Sequence, residues 1–392
     1  MSEVQKVALR ELALDEIHRE SGAVMVESDG WSVPATYGDE LLEYATVRER
    51  GAGLLDLSAR GRLLVTGSEA VAFLNGLITN DMKTLAENHW MPAVFPNVQG
   101  RLIASVRVVR TRDESAGKTA QPVFLIDTEP ATHERVLQSI QKFTLAGDFH
   151  VRDLTAETVL LSLQGEAARE KLGTVLGEPA ADIALGSVTE SVWQNDAVTV
   201  LRATHTAAKG FDLLVSNVHA AALWQALIAA GARPVGYEAL EILRVEAGIP
   251  RYRQDMDDAT VVTETNLDDA VSYTKGCYVG QEIIARIKYR GHVAKKLRGL
   301  VFERPAMIEA GTGIKSTDGK EIGQVTSSVY SPHLGRRLAL GYVKYDYIAA
   351  GTHVKTGEGA SAEVVDLPFG NCQSEIAIRK GPRLPPGGTD SN

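Results

Sequence analysis

From about residue 293 onward the chain carries no strong helical signal. Short β-type runs at Gly299–Phe302, Gly323–Val329, Leu338–Val343, His353–Lys355 and Ala362–Leu367 alternate with glycine-rich turns. Strands this short expose unpaired edges unless the sheet closes on itself. The spacing therefore predicts a small antiparallel β-barrel over residues 293–380. The Pro- and Gly-rich stretch after it, residues 381–392, reads as a flexible tail.

Upstream the texture is mixed. Arg62–Thr66, Val123–Ile126, Thr158–Leu163, Val198–Ala203 and Phe211–Ser216 read as strands. Helical spacing marks Val218–Ala230, stopped by Gly231, and Tyr237–Ala247, stopped by Gly248 and Pro250. A further helix is expected around His133–Phe143, and Ser68 is placed to cap one over SEAVAFLNGLI. Asn97-Val98-Gln99-Gly100 has the residues of a hairpin turn, between Ala93–Phe95 and a strand at Leu102–Val109. Arg112–Gln121 is polar, lacks periodicity and is expected to be an exposed loop. The fold class is α+β: a mixed α/β body over residues 1–292, then the C-terminal antiparallel β-barrel.

Charge and cysteine content exclude several classes. Lys plus Arg total 41 and Asp plus Glu 50 in 392 residues, a net charge of −9, which argues against non-specific nucleic-acid binding. Two cysteines, Cys277 and Cys372, cannot build a disulfide framework or a Cys-rich metal site. The N-terminal segment has apolar residues at helical spacing (Val7, Leu9, Leu12, Leu14, Ile17) among acids, unlike a secretory signal. No apolar run reaches the roughly 18 residues that span a bilayer. A reducing, cytoplasmic setting without a membrane partner is expected. Walker A, Rossmann, His-Glu-x-x-His and nucleophile-elbow patterns are missing, and the nine histidines lack metal-ligand spacing. No metal ligands are assigned.

Three segments could carry chemistry. In Thr274–Arg286, Lys275 stands two residues before Cys277, where an ammonium can favour the thiolate. A helix starting near Tyr278 or Val279 would add its dipole. The alternative is an inert buried cysteine at a loop-to-helix junction. The stretch Arg286–Arg298 (RIKYRGHVAKKLR) has no acid and reads either as an anion or partner surface or as a solvated basic face. The Asn97–Arg101 turn offers amides to a polar heterocycle such as a pterin, or is ordinary turn chemistry.

The octapeptide KGCYVGQE (Lys275–Glu282) resembles the signature of the YgfZ family. These are folate-binding relatives of the glycine-cleavage T-protein (aminomethyltransferase), linked to iron–sulfur cluster maturation. RGAGLLDLSARGRLLVTG (Arg50–Gly67), FLNGLITNDM (Phe73–Met82), NVQGR (Asn97–Arg101), LRVEAGIP (Leu243–Pro250) and VVDLPF (Val364–Phe369) resemble T-protein superfamily segments in the same order. The resemblance covers most of residues 35–370. It implies a ring-like arrangement of three domains, two of them chain-discontinuous within the body, with tetrahydrofolate as cofactor near the centre. It further implies Cys277 and Lys275 as the reactive pair. Asn97, Arg101, Asp212, Tyr278, Gln281, Glu282 and Arg286 become folate or site contacts, Arg286 pairing either with a ligand carboxylate or with Glu246. Iron–sulfur enzymes or assembly proteins become partners, and nucleic acid does not.

The chain departs from T-proteins where they carry acids after the hairpin. It has Ala104 and Ser105 there, and neither can serve as a carboxylate beside a cationic one-carbon centre. His205-Thr206-Ala207-Ala208 replaces a Tyr-Thr-Gly-Glu segment, so the glutamate expected to hold the pterin falls at Ala208. These departures favour a folate-binding accessory protein for iron–sulfur assembly. A folate-dependent aminomethyltransferase or demethylase, with Asp81 or Asp127 replacing the lost acid, is the alternative. Whether the chain is an enzyme stays open at this point, and a non-catalytic RNA-associated module is the third reading.

Overall fold

The computed structural model describes residues 9–370 apart from 113, 117, 118, 143, 145, 146, 305 and 358. Val7 of the N-terminal pattern, Cys372 and the 381–392 tail lie outside the described residues. Two sheets form the body. One runs in the order His150–Asp153, Gly61–Thr66, Phe124–Thr128, Leu102–Arg110, His89–Pro96. The other runs Val188–Trp193, Asp196–Arg202, Gly210–Ser216, Thr158–Gln164, Gly53–Asp56, Arg233–Pro234. The chain enters the second sheet at Gly53–Asp56, builds the first, then returns at Thr158–Gln164, which pairs antiparallel with Gly53–Asp56.

Hydrophobic burial explains the layering. Phe124–Thr128 is buried at every residue and Thr158–Gln164 at all but the first, as strands covered on both faces should be. Helices Ala70–Leu77 and His133–Gln141 cover the first sheet through Leu74, Val136 and Ile140. Helices Ala168–Leu176 and Asn217–Ala229 cover the second through Leu172, Leu223 and Trp224. A small N-terminal sheet, ordered Arg10–Glu11, Trp31–Thr36, Val24–Ser28, closes one side of the body.

The expected barrel is present and closed. Its six strands run Lys295–Phe302, Arg336–Lys344, Glu321–Ser331, Gly313–Ser316, His353–Thr356, Ala360–Val365. Helix Tyr237–Glu246 fastens it to the body. Leu243 packs with Leu338 and Leu340, and Glu246 accepts hydrogen bonds from Tyr44 of the body and Ser331 of the barrel. Arg48 also pairs with Glu246 at 3.5 Å. That arrangement occupies the carboxylate offered to Arg286, which lies exposed on its own helix.

Three local expectations change. Ser68 does not cap a helix through its side chain; its amide and hydroxyl both donate to Asp148, and the helix starts at Ala70. The polar 112–121 segment holds a two-stranded hairpin, Glu114–Ala116 with Thr119–Gln121. The helix after the cysteine begins at Gln281, behind Gly280, so Cys277 stands four positions ahead of it and outside its first turn. Among the described residues no helix is long and apolar enough to cross a membrane.

Candidate functional site

The body sheets, helix Tyr237–Glu246 and the N-terminal sheet enclose a cavity of about 220 Å³. Leu57, Trp90, Pro92, Val106, Leu240, Ile249 and Leu267 give it apolar walls. On Leu102–Arg110, the consecutive residues Ser105, Val106 and Arg107 line the cavity, while Ala104 packs into the core with Phe95 and Ile126. Of the two hairpin positions at which acids were expected, only Ser105 lines the cavity.

The cavity floor is an ion cluster. Asp127 lies directly opposite Arg107 in the antiparallel register, so their side chains share a face. Arg60 grips Asp127 in a fork, Nε to Oδ1 at 2.7 Å and Nη2 to Oδ2 at 3.0 Å. Arg107 Nη2 reaches Asp127 Oδ2 at 2.8 Å and Asp212 Oδ2 at 2.6 Å. Asp212 also accepts from His205 Nε2 at 2.9 Å and from Ser162 at 2.6 Å. Burial would raise Asp212, but the charges of His205 and Arg107 outweigh it and hold the carboxyl well below its usual range. Burial likewise works against Asp127, and Arg60 and Arg107 overcome it. Glu129 behaves oppositely. Its burial outweighs Arg60 and pushes its pKa up, while Oε2 accepts the Tyr252 amide at 2.8 Å.

Asp212, expected as a folate contact, is thus fully buried behind His205 and Arg107 and does not line the cavity. Position 208 is no cavity position either, since Ala208 packs on the cluster around Tyr44 and Leu243. Thr204 and His205 are the residues of that loop that face inward.

The cysteine lies elsewhere. Cys277 is exposed and does not line the cavity. Lys275 is buried, and its ammonium donates to the carbonyls of Asn75 (2.7 Å), Ile78 (2.9 Å) and Asn80 (2.7 Å). These are carbonyls at and just beyond the end of helix Ala70–Leu77, where a cation is favoured. An ammonium whose three donors are spent on carbonyls clamps the loop. Burial draws its pKa down to about 8.

The structure does join the signature to the hairpin turn. Gly280 sits at φ +76°, and a Cβ there would lie 2.4 Å from the Asn97 carbonyl oxygen. Asn97 uses its side chain within the turn, accepting the amides of Gln99 (2.9 Å) and Arg101 (3.0 Å). Asn97 and Arg101 do not line the cavity, and neither do Tyr278, Gln281, Glu282 and Arg286. Tyr278 is buried beneath Lys275, whose Nζ lies 5.0 Å from the ring centroid. Glu282 and Arg286 are exposed on the following helix, with Gln281 half-buried. The cavity residues that sequence reasoning missed are Arg60, Arg107, Glu129 and Arg244. Only Arg107, a cation within an apolar strand, carried a visible anomaly.

Comparison with known proteins covers nearly the whole chain. Residues 14–275 match the family described as GCVT N-terminal domain, and residues 295–370 the glycine cleavage T-protein C-terminal barrel domain. The chain is 31% identical over 370 residues to an aminomethyltransferase of Rubrobacter xylanophilus, covering 94% of this chain and 96% of that one. A Streptomyces coelicolor aminomethyltransferase is 30% identical, with 92% and 97% covered. The solved glycine cleavage system aminomethyltransferase T of Bartonella henselae superposes with a TM-score of 0.84 at 26% identity, covering 92% of this chain and 98% of that one.

Proposed function

Because this chain belongs to the glycine cleavage T-protein family, we propose that it binds tetrahydrofolate in the central cavity and manages a one-carbon unit there. The observation that carries this reading is the cavity itself: apolar walls around a floor of paired buried charges. Its 220 Å³ is below the roughly 300 Å³ typical of whole-ligand sites, so it encloses the fused ring and leaves the tail outside. Arg107 reaches the cavity braced on Asp127 and Asp212. When bound, tetrahydrofolate supplies the paired nitrogens on which a one-carbon unit is carried. Trp90, Pro92 and Leu240 exclude water, Arg60 and Arg107 hold the floor, and Glu129 is placed to take or give a proton.

The aminomethyltransferase relatives support transfer of an aminomethyl unit as the reaction. Calorimetry with tetrahydrofolate tests the binding. An assay for 5,10-methylenetetrahydrofolate from aminomethyl donors tests the transfer. Absence of binding refutes the whole reading, and binding without turnover at high protein concentration refutes the transferase.

The second reading is an accessory role in iron–sulfur cluster assembly. Two observations favour it: no hairpin carboxylate faces the cavity, and Cys277 is exposed to a partner. In this reading Cys277 is the working group, Lys275 and Tyr278 hold its loop, and Asn97 and Arg101 shape the adjoining turn. Gln281, Glu282 and Arg286 offer a surface to iron–sulfur enzymes or assembly proteins. Cys277→Ala should then abolish rescue of iron–sulfur enzyme activity in cells while leaving folate affinity unchanged. Full rescue rejects it.

A further inference from the structure

We infer that a groove beside the central cavity, between the N-terminal sheet and the barrel, takes an extended basic segment of a partner protein, which adds as a strand along the open edge of Val24–Ser28. The inference is independent of the folate reading and of Cys277.

The groove holds about 580 Å³. Helix Tyr237–Glu246 packs against both Trp31–Thr36 and Glu321–Ser331, and lines the groove between them with Tyr237, Glu238, Glu241 and Ile242. One bank is Val26, Glu27 and Ser28, and the other is Ser328, Val329 and Tyr330. Successive strand residues point to opposite faces, so three in a row on one groove means that it follows the strand edge. Both edges are open among the described residues. Val24–Ser28 ends its sheet, paired with Trp31–Thr36 on its other side. Glu321–Ser331 pairs with Gly313–Ser316 as far as Gln324, and from Ser327 onward its strand partner is Arg336–Lys344 alone. In an antiparallel ladder every second residue turns its N–H and C=O away from its partner. Each bank therefore offers main-chain donors and acceptors to the groove.

The side chains select the occupant. Val26, Leu41 and Tyr330 are exposed apolar groups gathered around this one groove. Glu27, Glu40 and Glu238 also line it, and none forms an ion pair among the described residues. Glu40 is pushed up by burial and then by the charges of Glu238 and Glu43, so like charges crowd there without a cation. The two arginines of the groove are engaged: Arg251 lies 3.6 Å from Glu241, and Arg337 donates to Ser328 at 3.3 Å. A strand with lysine or arginine alternating with β-branched residues would set its cations against the free carboxylates and cover the exposed apolar groups. A second copy of this chain fits poorly, because two-fold pairing of Val24–Ser28 with itself would bring these acids against their own counterparts.

The test uses the full chain and the synthetic peptide acetyl-KVKVKVK-amide, with two forms of it N-methylated at either the lysines or the valines. Each methylated form keeps the charge and loses the N–H donors of one strand edge. Titration should show the parent peptide binding, and at least one methylated form binding about 10-fold more weakly, as expected for three lost main-chain hydrogen bonds. The double variant Glu40→Gln/Glu238→Gln, checked for cooperative unfolding, should weaken the parent peptide about 10-fold. The distant Glu170→Gln, on helix Ala168–Leu176, should leave it unchanged. Hydrogen exchange should show amides in 26–28 slowed by the bound peptide. No binding of the parent peptide overturns the inference. Equal binding of all three peptides, or equal loss in the double variant and in Glu170→Gln, shows adsorption to an acidic surface and overturns it as well. Should the double variant fail to fold, the methylated peptides decide on the wild-type chain.

Discussion

Replacing Lys275 with methionine separates two accounts of the signature loop. The methionine keeps the unbranched stem over Tyr278 and removes only the ammonium. Three hydrogen bonds disappear, to the carbonyls of Asn75, Ile78 and Asn80. Hydrogen bonds from a charged donor contribute about 1.5–3 kcal/mol each, but three from one nitrogen do not add. Burying the ammonium also has a cost, visible as its pKa falling to about 8. The net loss should therefore be about 3 kcal/mol. Urea unfolding reads this as a lower midpoint at constant m-value. A thiol-exchange reagent reads the second account: a lysine that tuned Cys277 would, when removed, slow the native reaction by about 10-fold. The expected result is the stability loss with the thiol rate unchanged within about twofold. A variant that unfolds like wild type but reacts 10-fold more slowly refutes the clamp.

Glu129→Gln should stabilise the protein at neutral pH. Burial raises the folded carboxyl above its unfolded value, so the folded state holds its proton longer and wild-type stability falls as pH rises from about 4.5 to the folded value. Denaturation curves at several pH values should show the variant lacking that decline, and an identical slope would contradict it. If the cavity transfers one-carbon units, the same variant should lose turnover while gaining stability, a trade found at working sites. Gly280→Ala should cost about 2 kcal/mol or more, from the left-handed backbone and the Asn97 carbonyl 2.4 Å from the new Cβ; an unchanged urea midpoint would contradict this. Arg244→Met should cost about 3 kcal/mol because it removes the cation from the buried Asp255 carboxylate, which keeps Thr326, Ser327 and the Arg251 amide as donors, with Ser327 of the barrel also losing a partner. A loss below about 1 kcal/mol by urea unfolding would show that solvent reaches Asp255.

What the sequence made legible follows from distance along the chain. The barrel could be read because its strands alternate locally and its turns carry glycine, a signal contained in a few residues. Helix Tyr237–Glu246 could be read because period and stop signal sit together. The cavity could not. Its lining runs from Ser28 to Asp269, and no local pattern tells Arg107 that Asp212, on another sheet, will be its partner. Lys275 is a related case. Adjacency to Cys277 is visible in a string of letters, whereas three backbone carbonyls around residue 78 are not. Ala208 misled because alignment assigns a position without its direction.

The cavity's carboxylates weigh on which chemistry it can support. A developing cationic one-carbon centre needs a negative charge that is not already matched. Asp127 faces two guanidinium groups, and Asp212 faces Arg107 and His205. Glu241 is held by Arg244 and lies 3.6 Å from Arg251. Their fields are largely cancelled where they stand, and moving any of them would strand a buried cation. Glu129 differs, since its hydrogen-bond partner among the described residues is the neutral Tyr252 amide, and burial holds it closer to its protonated form. Of these carboxyl groups it is the one whose charge state can change without breaking an ion pair. Among these four, Glu129 is therefore the first carboxyl to test for transfer chemistry. A protein that binds folate but works through Cys277 has no such need of it, so Glu129→Gln should abolish turnover under the one reading and leave iron–sulfur rescue unchanged under the other.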